Sequence, residues 1–393
     1  MAVDVFERYY SFEKLDKDNP YYALKESNYL LAKEEYFSGN TLLHSLPLRA
    51  TLQTTDYCNL HCIMCQIHSQ RENHKLRQMP VSGFDCIVRE LFPTLVEVHP
   101  SNIGEPLLSP WFNYLCEKCK EYGVLLDITS NGTMLNESTI ISILPVLLDI
   151  KVSFDGIKKE TFEKIRRGSD YDAITNNIKR FIQLRNSLSS KATITLQMTL
   201  FDFNYKELPE VIKFAKDIGV DKVKAYPVFS FSDDIDKVSF TNILDNYSEF
   251  RSQCVSLANE INLPLALAEP PAKEDVLASN NLVHQKCRLP WAECFIDYDG
   301  AVYPCHSHSF IALGDIFSDS GEKVLNSEYA QSIREGLVSD NLRNTICENC
   351  GNNYIRLNNE QTVPYNRDDY LFNKTGEQGL HWGNRYKPFH LNR

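Results

Sequence analysis

The sequence lacks a long hydrophobic run, a secretion signal and an excess of basic charge. No apolar segment approaches the ~20 residues that a membrane-spanning helix needs. The N-terminal stretch carries acids early and lacks the basic-then-apolar order of a signal peptide. Lys and Arg number 41 against 52 Asp and Glu, which gives a net charge of −11, and no basic run stands out. We therefore expect a cytoplasmic protein that binds neither membranes nor nucleic acid.

Cysteine, in contrast, is abundant. The chain has 393 residues, of which 43% are hydrophobic and 24% are charged, a composition that suits one large domain and a smaller one. It carries 12 cysteines. In a cytoplasmic chain, this many cysteines indicates metal ligands rather than disulfides.

The densest group of cysteines is Cys58, Cys62 and Cys65, spaced C-x3-C-x2-C. It directly follows an alternating apolar run over residues 48–54, which predicts a strand. Clustered thiolates hold iron–sulfur clusters, and three of them leave one iron of a 4Fe–4S cube open for chemistry. The spacing alone also fits a zinc site completed by a nearby histidine, or three buried thiols.

Strands and helical patterns alternate along the first two-thirds of the chain. Such alternation predicts parallel strands joined by right-handed crossovers. The fold class is therefore α/β, with a partial (β/α)6 TIM-like barrel whose reactive groups lie at the C-terminal ends of its strands. The predicted strands cover residues 48–54, 95–103, 123–130, 149–155, 192–200 and 220–228.

The cysteine triplet after a first strand resembles the motif of the radical S-adenosylmethionine (radical SAM) enzymes. This resemblance implies that Cys58, Cys62 and Cys65 hold a 4Fe–4S cluster whose open iron binds SAM. Electron transfer into SAM would then release a 5′-deoxyadenosyl radical that takes a hydrogen atom from the substrate. The resemblance also implies an external one-electron reductant, such as flavodoxin or ferredoxin.

Further loops match the family's SAM-binding elements. The segment 102–106 is similar to a Gly-Gly-Glu-Pro element that binds the SAM amino group, with Ile103 in place of the first glycine. The resemblance assigns SAM-binding roles to Gly104 and Glu105 there. It assigns further SAM contacts to the following residues: Ser130, Asn131, Ser153, Arg166 and, for packing on adenine, Met64.

A second cysteine set follows the barrel. Cys287 and Cys305 flank a predicted hairpin, and Cys347 and Cys350 form a C-x2-C pair. Four thiolates complete a 4Fe–4S set, although zinc is a serious alternative for these four taken alone. The pattern resembles the SPASM/twitch auxiliary domain of radical SAM enzymes, here in a short α+β form that implies one auxiliary 4Fe–4S cluster. Its cysteine layout is similar to that of the aminocyclitol dehydrogenases.

These assignments divide the chain into five parts. They are an N-terminal extension (1–47), the barrel (48–230), a helical connector (231–286), the auxiliary-cluster domain (287–353) and a C-terminal tail (354–393). Cys294 is left over inside the hairpin. It is a rearranged cluster ligand, a hydrogen-atom donor or a packed thiol.

The expected function is a two-electron oxidation of a sugar, cyclitol or similar hydroxylated molecule by a radical SAM oxidoreductase. The auxiliary cluster would accept the electron left on the substrate. The alternatives within the enzyme class are peptide maturation and epimerisation, the latter with Cys294 as hydrogen donor. A non-enzyme alternative is an iron–sulfur redox sensor, which would not need SAM-binding loops.

Overall fold

The computed structural model describes most of the chain up to residue 339 and a few positions beyond it. The described residues are 6, 9–65, 67, 76–228, 235, 237–238, 244–267, 282–284, 287–305, 311–339, 341, 347 and 354–356. Cys350 and almost all of the predicted C-terminal tail lie outside these residues.

The core of the fold is one sheet in which strands β1 to β7 follow chain order. From one edge to the other the order is β11-β10-β9-β1-β2-β3-β4-β5-β6-β7, while β12 pairs with β8 separately. Strands β1 to β7 are parallel to their neighbours, as the alternation with helices predicts. The strands are β1 Arg49–Leu52, β2 Glu97–His99, β3 Leu125–Ser130, β4 Leu147–Ser153, β5 Thr193–Leu200, β6 Lys222–Pro227, β7 Leu265–Leu267, β8 Leu282–His284, β9 Glu293–Ile296, β10 Ala301–Tyr303, β11 Gly314–Asp315 and β12 Tyr354–Arg356.

Helices connect the parallel strands and cover the outer face of the sheet. They are α1 Tyr22–Ser38, α2 Val81–Leu91, α3 Phe112–Tyr122, α4 Glu137–Ile143, α5 Lys159–Ile165, α6 Tyr171–Ser187, α7 Leu208–Ile218, α8 Leu244–Glu260, α9 Leu289–Ala292, α10 Gly321–Leu325 and α11 Glu328–Ser339, with short 3-10 turns at Phe12–Lys14, Pro106–Leu108 and Tyr205–Glu207. On α7 the buried residues Leu208, Val211, Ile212 and Ala215 follow helical spacing, which turns one apolar stripe toward the sheet.

The two faces of the barrel strands have opposite character. The outward positions are apolar, and each is completely buried under the helices: Ala50, Leu52, Val98, Leu126, Ile128, Ile150, Val152, Ile194, Leu196 and Met198. The inward positions are polar. Arg49 on β1 pairs with Asp127 on β3, so these side chains meet across the intervening strand on a concave inner face. The barrel therefore encloses a hydrogen-bonding lumen rather than an apolar one.

The N-terminal segment closes the bottom of this barrel. The Ser11 N–H donates to Glu97 Oε1 at 2.8 Å, and the Tyr10 hydroxyl donates to Glu293 Oε1 at 3.2 Å. Lys25 on α1 is 1% exposed, and its ammonium group donates to the Phe92 carbonyl at 2.8 Å. Burial lowers the pKa of Lys25 to about 7. The described part of the N-terminal segment therefore packs on the barrel.

Two features differ from the prediction. The connector was expected to be helical, but after α8 it forms β7, which extends the barrel sheet beside β6. The hairpin β9–β10 forms as predicted, yet β9 also pairs in parallel with β1, from Arg49↔Glu293 to Leu52↔Ile296. The hairpin of the auxiliary segment is thus continuous with the barrel sheet. In the part of the chain that the structure describes, no helix has the length and apolarity of a membrane span.

Candidate functional site

The cysteine loop begins at a buried side chain, Gln53, which directly follows β1. Its amide Nε2 donates to Asp56 Oδ1 at 2.9 Å and to the Ile103 carbonyl at 3.1 Å. Its Oε1 accepts from the Ile103 N–H at 3.1 Å. Because Gln53 is only 2% exposed, these bonds fix the loops after β1 and β2 in one arrangement.

The far side of the cysteine loop lies against the end of α5. The His61 N–H donates to the Arg167 carbonyl at 2.8 Å, and the Ile63 N–H donates to the Ile165 carbonyl at 2.9 Å. The loop after the first strand is therefore held by the segment that follows the fourth. All of these groups lie at the C-terminal end of the sheet, where a barrel carries its chemistry.

The three thiols of the loop are close enough to influence one another. Cys62 is buried, whereas Cys58 and Cys65 are half-buried, and all three are reduced. Burial raises the pKa of Cys62 to about 11; Asp155 and the thiols of Cys65 and Cys58 add to this rise, whereas Arg166 opposes it. Burial also raises the pKa of Cys58, and a cationic group such as iron would stabilise both thiols as thiolates.

The donor set fits an iron–sulfur cluster better than a single ion. Among the described residues, no three His, Cys, Asp or Glu side chains converge on a point that one metal ion could occupy. A 4Fe–4S cube instead takes each thiolate on a different iron, and thiols are the donors that Cys58, Cys62 and Cys65 offer.

Arg166 lies between a carboxylate and a cluster-loop thiol. Its Nε is 2.7 Å from Asp155 Oδ2, and its Nη1 is 3.7 Å from Cys62 Sγ. Burial alone would lower the pKa of Arg166, but the charges of Asp155 and Cys62 raise it above its usual value. The guanidinium therefore stays charged beside the cluster loop. Its predicted contact with the SAM carboxylate stays a prediction.

Glu105 is an almost completely enclosed acid of the site, at 1% exposed. Its Oε1 accepts from the Ser130 hydroxyl at 2.8 Å and from the Leu107 N–H at 3.3 Å. Its Oε2 accepts from the Asn131 N–H at 2.7 Å. Burial raises the pKa of Glu105 to about 7, against the effect of these donors. The structure thus brings together Glu105, Ser130 and Asn131, which the sequence assigned to one SAM site.

Gly104 is required where it stands. It has a φ of +82°, and a Cβ added there would lie 2.2 Å from the Thr55 carbonyl oxygen. The next residue bonds back to the cysteine loop, because the Glu105 N–H donates to the Tyr57 carbonyl at 2.8 Å. The departure at Ile103 does not disturb this path, since Gln53 holds both of its backbone groups.

The remaining predicted SAM residues surround the same loops. Asn131 Nδ2 lies 3.7 Å from Cys58 Sγ and donates to Asn59 Oδ1 at 2.9 Å. Ser153 ends β4 on the inner face, in register with Gln197. Met64 packs on a small apolar cluster separate from the main core, formed by Ile165, Phe201, Val228 and Ile235.

Replacing Glu105 by glutamine is expected to weaken SAM binding about tenfold or more. An amide presents an N–H group where the carboxylate accepts hydrogen bonds, and it carries no charge for an ammonium group. Hydrogen bonds to charged groups contribute about 1.5–3 kcal/mol. Equilibrium dialysis of labelled SAM against reconstituted protein at pH 8, above the pKa of Glu105, measures the change. The exposed Glu137→Gln variant is the control; equal SAM affinity in E105Q would contradict the assignment.

The second cysteine set is only partly described. Cys287 precedes α9 and Cys305 follows β10, and both are half-buried. The hairpin returns Tyr303 to a position beside Phe295, so Cys305 leaves the sheet near the end of β9 that Cys287 approaches. Cys347 is buried. Their role as ligands, together with Cys350, stays a prediction.

Cys294 faces away from the lumen. It is in register with the outward residue Ala50 and is 3% exposed. Its surroundings are largely apolar and include Leu91, Val302 and Val324. Burial raises the pKa of its thiol far above the usual value. This placement favours the packed-thiol interpretation over the hydrogen-donor one.

Sequence reasoning missed several residues that organise the site. Gln53 and Asp155 were not singled out, although each stands at the C-terminal end of a predicted strand. Arg77 was also missed. Its Nε is 2.9 Å from Asp56 Oδ2, and its Nη1 donates to the Tyr298 hydroxyl at 2.9 Å, which links the cysteine loop to the β9–β10 turn. Polar residues at strand ends were the available signal for the first two.

Comparison with known proteins identifies both parts of the chain. A radical SAM superfamily model matches residues 52–215, and a SPASM iron–sulfur cluster-binding domain model matches residues 287–351. The chain is 22% identical over 298 residues to the tungsten-containing aldehyde ferredoxin oxidoreductase cofactor-modifying protein of Pyrococcus furiosus, a match that covers 74% of this chain and 79% of that protein. It is 24% identical over 291 residues to the antilisterial bacteriocin subtilosin biosynthesis protein AlbA of Bacillus subtilis, covering 72% of this chain and 60% of AlbA.

Solved structures share the fold. Streptococcus suis SuiB bound to S-adenosylmethionine matches with a TM-score of 0.60 and 18% identity, over 82% of this chain and 74% of SuiB. The native anSMEcpe structure with bound AdoMet matches with a TM-score of 0.52 and 18% identity, over 72% of this chain and 82% of that protein. The chain therefore belongs to the radical SAM superfamily, whose core domain binds a 4Fe–4S cluster and SAM, and it carries a SPASM domain that binds auxiliary iron–sulfur clusters.

Proposed function

We propose that this radical SAM enzyme oxidises a small, hydroxylated molecule, such as a sugar or cyclitol, by two electrons inside its barrel. The observation that carries the proposal is the polar inner face. Charged groups on β1 to β4 form a connected layer there, in which Arg49 contacts Glu97 at 2.8 Å and Lys151 contacts Asp149 at 3.2 Å. Polyhydroxylated molecules offer donors and acceptors that match such a surface.

A second polar layer lies nearer the cluster loop. Gln197 Nε2 donates to the Tyr226 hydroxyl at 2.5 Å, and Asp155 Oδ1 accepts from the Thr199 N–H at 2.6 Å. The ion pair of Asp155 with Arg166 connects this layer to the cysteine loop. A substrate held between the two layers would present its C–H bonds toward the SAM site.

The oxidation removes one hydrogen atom, one electron and one proton from the substrate, and each of the three needs an acceptor. SAM, when bound and reductively cleaved, would supply the radical that takes one hydrogen atom from a carbinol carbon. The electron left on the substrate would pass to the auxiliary iron–sulfur cluster and the hydroxyl proton to a base, which would leave a carbonyl group. The protein's own part is to orient the alcohol and to exclude water from the lumen.

Peptide maturation is the second candidate, and the comparisons favour it. AlbA is named for the biosynthesis of the bacteriocin subtilosin, and SuiB has been solved bound to the precursor peptide SuiA. At 24% and 18% identity, these likenesses do not carry a substrate over to this chain. A peptide side chain entering the lumen would meet the same polar groups.

Isotope transfer separates the two candidates. Anaerobic protein with SAM and dithionite would be offered C-deuterated glucose, C-deuterated myo-inositol or deuterated peptides. We expect deuterium in 5′-deoxyadenosine, together with a new carbonyl compound, from the sugars or cyclitols. The Cys58/Cys62/Cys65→Ala variant, which should give neither, is the control. Deuterium transfer from peptides alone would contradict the oxidation of a small hydroxylated molecule and would support peptide maturation.

A further inference from the structure

The inner face carries one histidine in an unusual setting. His99 is the last residue of β2, in register with Thr51 of β1, and its side chain is 15% exposed. Its Nδ1 is fully buried and lies 3.5 Å from Asp127 Oδ2 on β3. The exposed 15% of the side chain therefore belongs to atoms other than Nδ1.

The surroundings of His99 favour one tautomer of its ring. The charged groups that face it are Arg49 on β1, Asp127 on β3 and Lys151 on β4. Burial opposes ionisation of Asp127, but Lys151 and Arg49 hold the pKa of its carboxyl well below the usual range. His99 Nδ1 makes no hydrogen bond to Asp127 at 3.5 Å, but a carboxylate can only accept, so its proximity favours the neutral tautomer with the proton on Nδ1. In that tautomer Nε2 carries a free lone pair.

The same surroundings keep the ring neutral. Burial lowers the pKa of His99 below its ordinary value of about 6.5. Arg49 and Lys151 act in the same direction, whereas Asp127 opposes them. At neutral pH the imidazole is therefore a proton acceptor with an oriented N–H behind it, the arrangement that general-base catalysis requires.

We propose that His99 Nε2 accepts the proton that the substrate loses when it is oxidised in the barrel lumen. This role rests on the oxidation proposed above. The hydrogen atom leaves to the SAM-derived radical and the electron to the auxiliary cluster. The hydroxyl proton forms an N–H bond at Nε2, and Asp127 stabilises the resulting imidazolium. Asp127 acts as the positioning residue.

Other acids and bases of the lumen are less suited to this step. Glu105 accepts three hydrogen bonds from protein donors. Asp155 is bonded by the Thr199 N–H and paired with Arg166. The ammonium group of Lys151 is charged and lies against two carboxylates. Within the described residues, no hydrogen bond occupies His99 Nε2.

A chemical probe tests the free lone pair without any substrate. Diethyl pyrocarbonate acylates neutral imidazole, and mass spectrometry of peptides from the treated holoenzyme locates each acylated histidine. His44, whose side chain is 70% exposed, is the internal control. We expect His99 to react at pH 7 and to keep reacting at pH 6, because its pKa lies below the ordinary value. Reaction at His44 with none at His99 would overturn the proposal.

A variant tests the proton transfer itself. With a substrate identified by deuterium transfer, His99→Gln is expected to lower the oxidised product formed per 5′-deoxyadenosine about 100-fold. The acid limb of the wild-type pH profile, expected below pH 6.5, should disappear. His44→Gln should retain the wild-type ratio and profile. A wild-type ratio of product to 5′-deoxyadenosine in H99Q would refute the role of His99. Absence of deuterium transfer in the wild type would instead refute the proposed oxidation. In that case the acylation experiment would still show whether the lone pair on His99 Nε2 is free.

Discussion

Replacing Cys58, Cys62 and Cys65 together by alanine is expected to lower the iron content from about eight atoms per chain to about four and to abolish SAM cleavage. The first half of this result follows from two 4Fe–4S clusters of which one is lost. The second half follows because the remaining cluster would have cysteine on every iron, which leaves no site for SAM. Iron, sulfide and zinc would be determined on anaerobically purified protein, and 5′-deoxyadenosine would be measured after addition of dithionite.

A double variant provides the matched control for the loss of cysteine. Cys116 and Cys119 lie on one face of α3, and both thiols are buried in the main core. Cys116→Ala/Cys119→Ala therefore removes two thiols from the chain without touching either predicted cluster, and about eight irons should remain. About four irons in the wild type and none in the triple variant, with zinc present, would mean that the Cys287 set is a zinc site. The proposed oxidation would then lose its electron acceptor.

The cysteine loop and the barrel could be predicted because their signals are local in sequence. The spacing of Cys58, Cys62 and Cys65 is itself the pattern, and each barrel strand carries its own alternating or apolar run. The six predicted strands are present, with bounds that differ by up to four residues at either end. Strand β7 was missed because it has only three residues and a proline directly before it.

The organising contacts of the site could not be predicted, because they depend on strand register. His99 lies in a short strand, and a polar residue in such a strand can face either the barrel lumen or solvent. Only the pairing of β2 with β1 and β3 shows that it turns inward toward Asp127. Gln53 likewise acquires its role through contacts fifty residues away, at Ile103.

The pairing of β9 with β1 could not be predicted from the sequence either. Turn residues predict a hairpin from local sequence, but they do not predict which distant strand the hairpin pairs with. Here Glu293 pairs in register with Arg49, so the auxiliary segment begins on the barrel sheet itself. Arg77 adds a second connection through Tyr298. The hairpin that precedes Cys305 is thus fixed relative to the cysteine loop.

Replacing Arg49 by methionine is expected to destabilise the folded protein by about 3–5 kcal/mol. The guanidinium is the cation shared by Glu97 and Asp127, and the three side chains are 9% exposed or less. Methionine fills much of the space but leaves two buried carboxylates with one cation fewer between them. Unpaired buried charges are costly, whereas loss of an exposed pair costs about 0–1 kcal/mol. Urea unfolding followed by circular dichroism gives the difference in midpoint.

Two further variants separate charge from packing in this prediction. Lys213→Met also removes one positive charge, but its pair with Glu210 is about half-exposed on both sides, so it should unfold close to the wild type. Arg49→Met combined with Glu97→Gln and Asp127→Asn leaves no unpaired charge in the layer. This triple variant should be more stable than R49M alone, because the penalty of R49M lies in the charge left without a cation on Glu97, and in Asp127 keeping only Lys151, rather than in the contacts of the arginine stem. A triple variant less stable than R49M would show instead that packing and hydrogen bonds, not charge, hold the bottom of the barrel together.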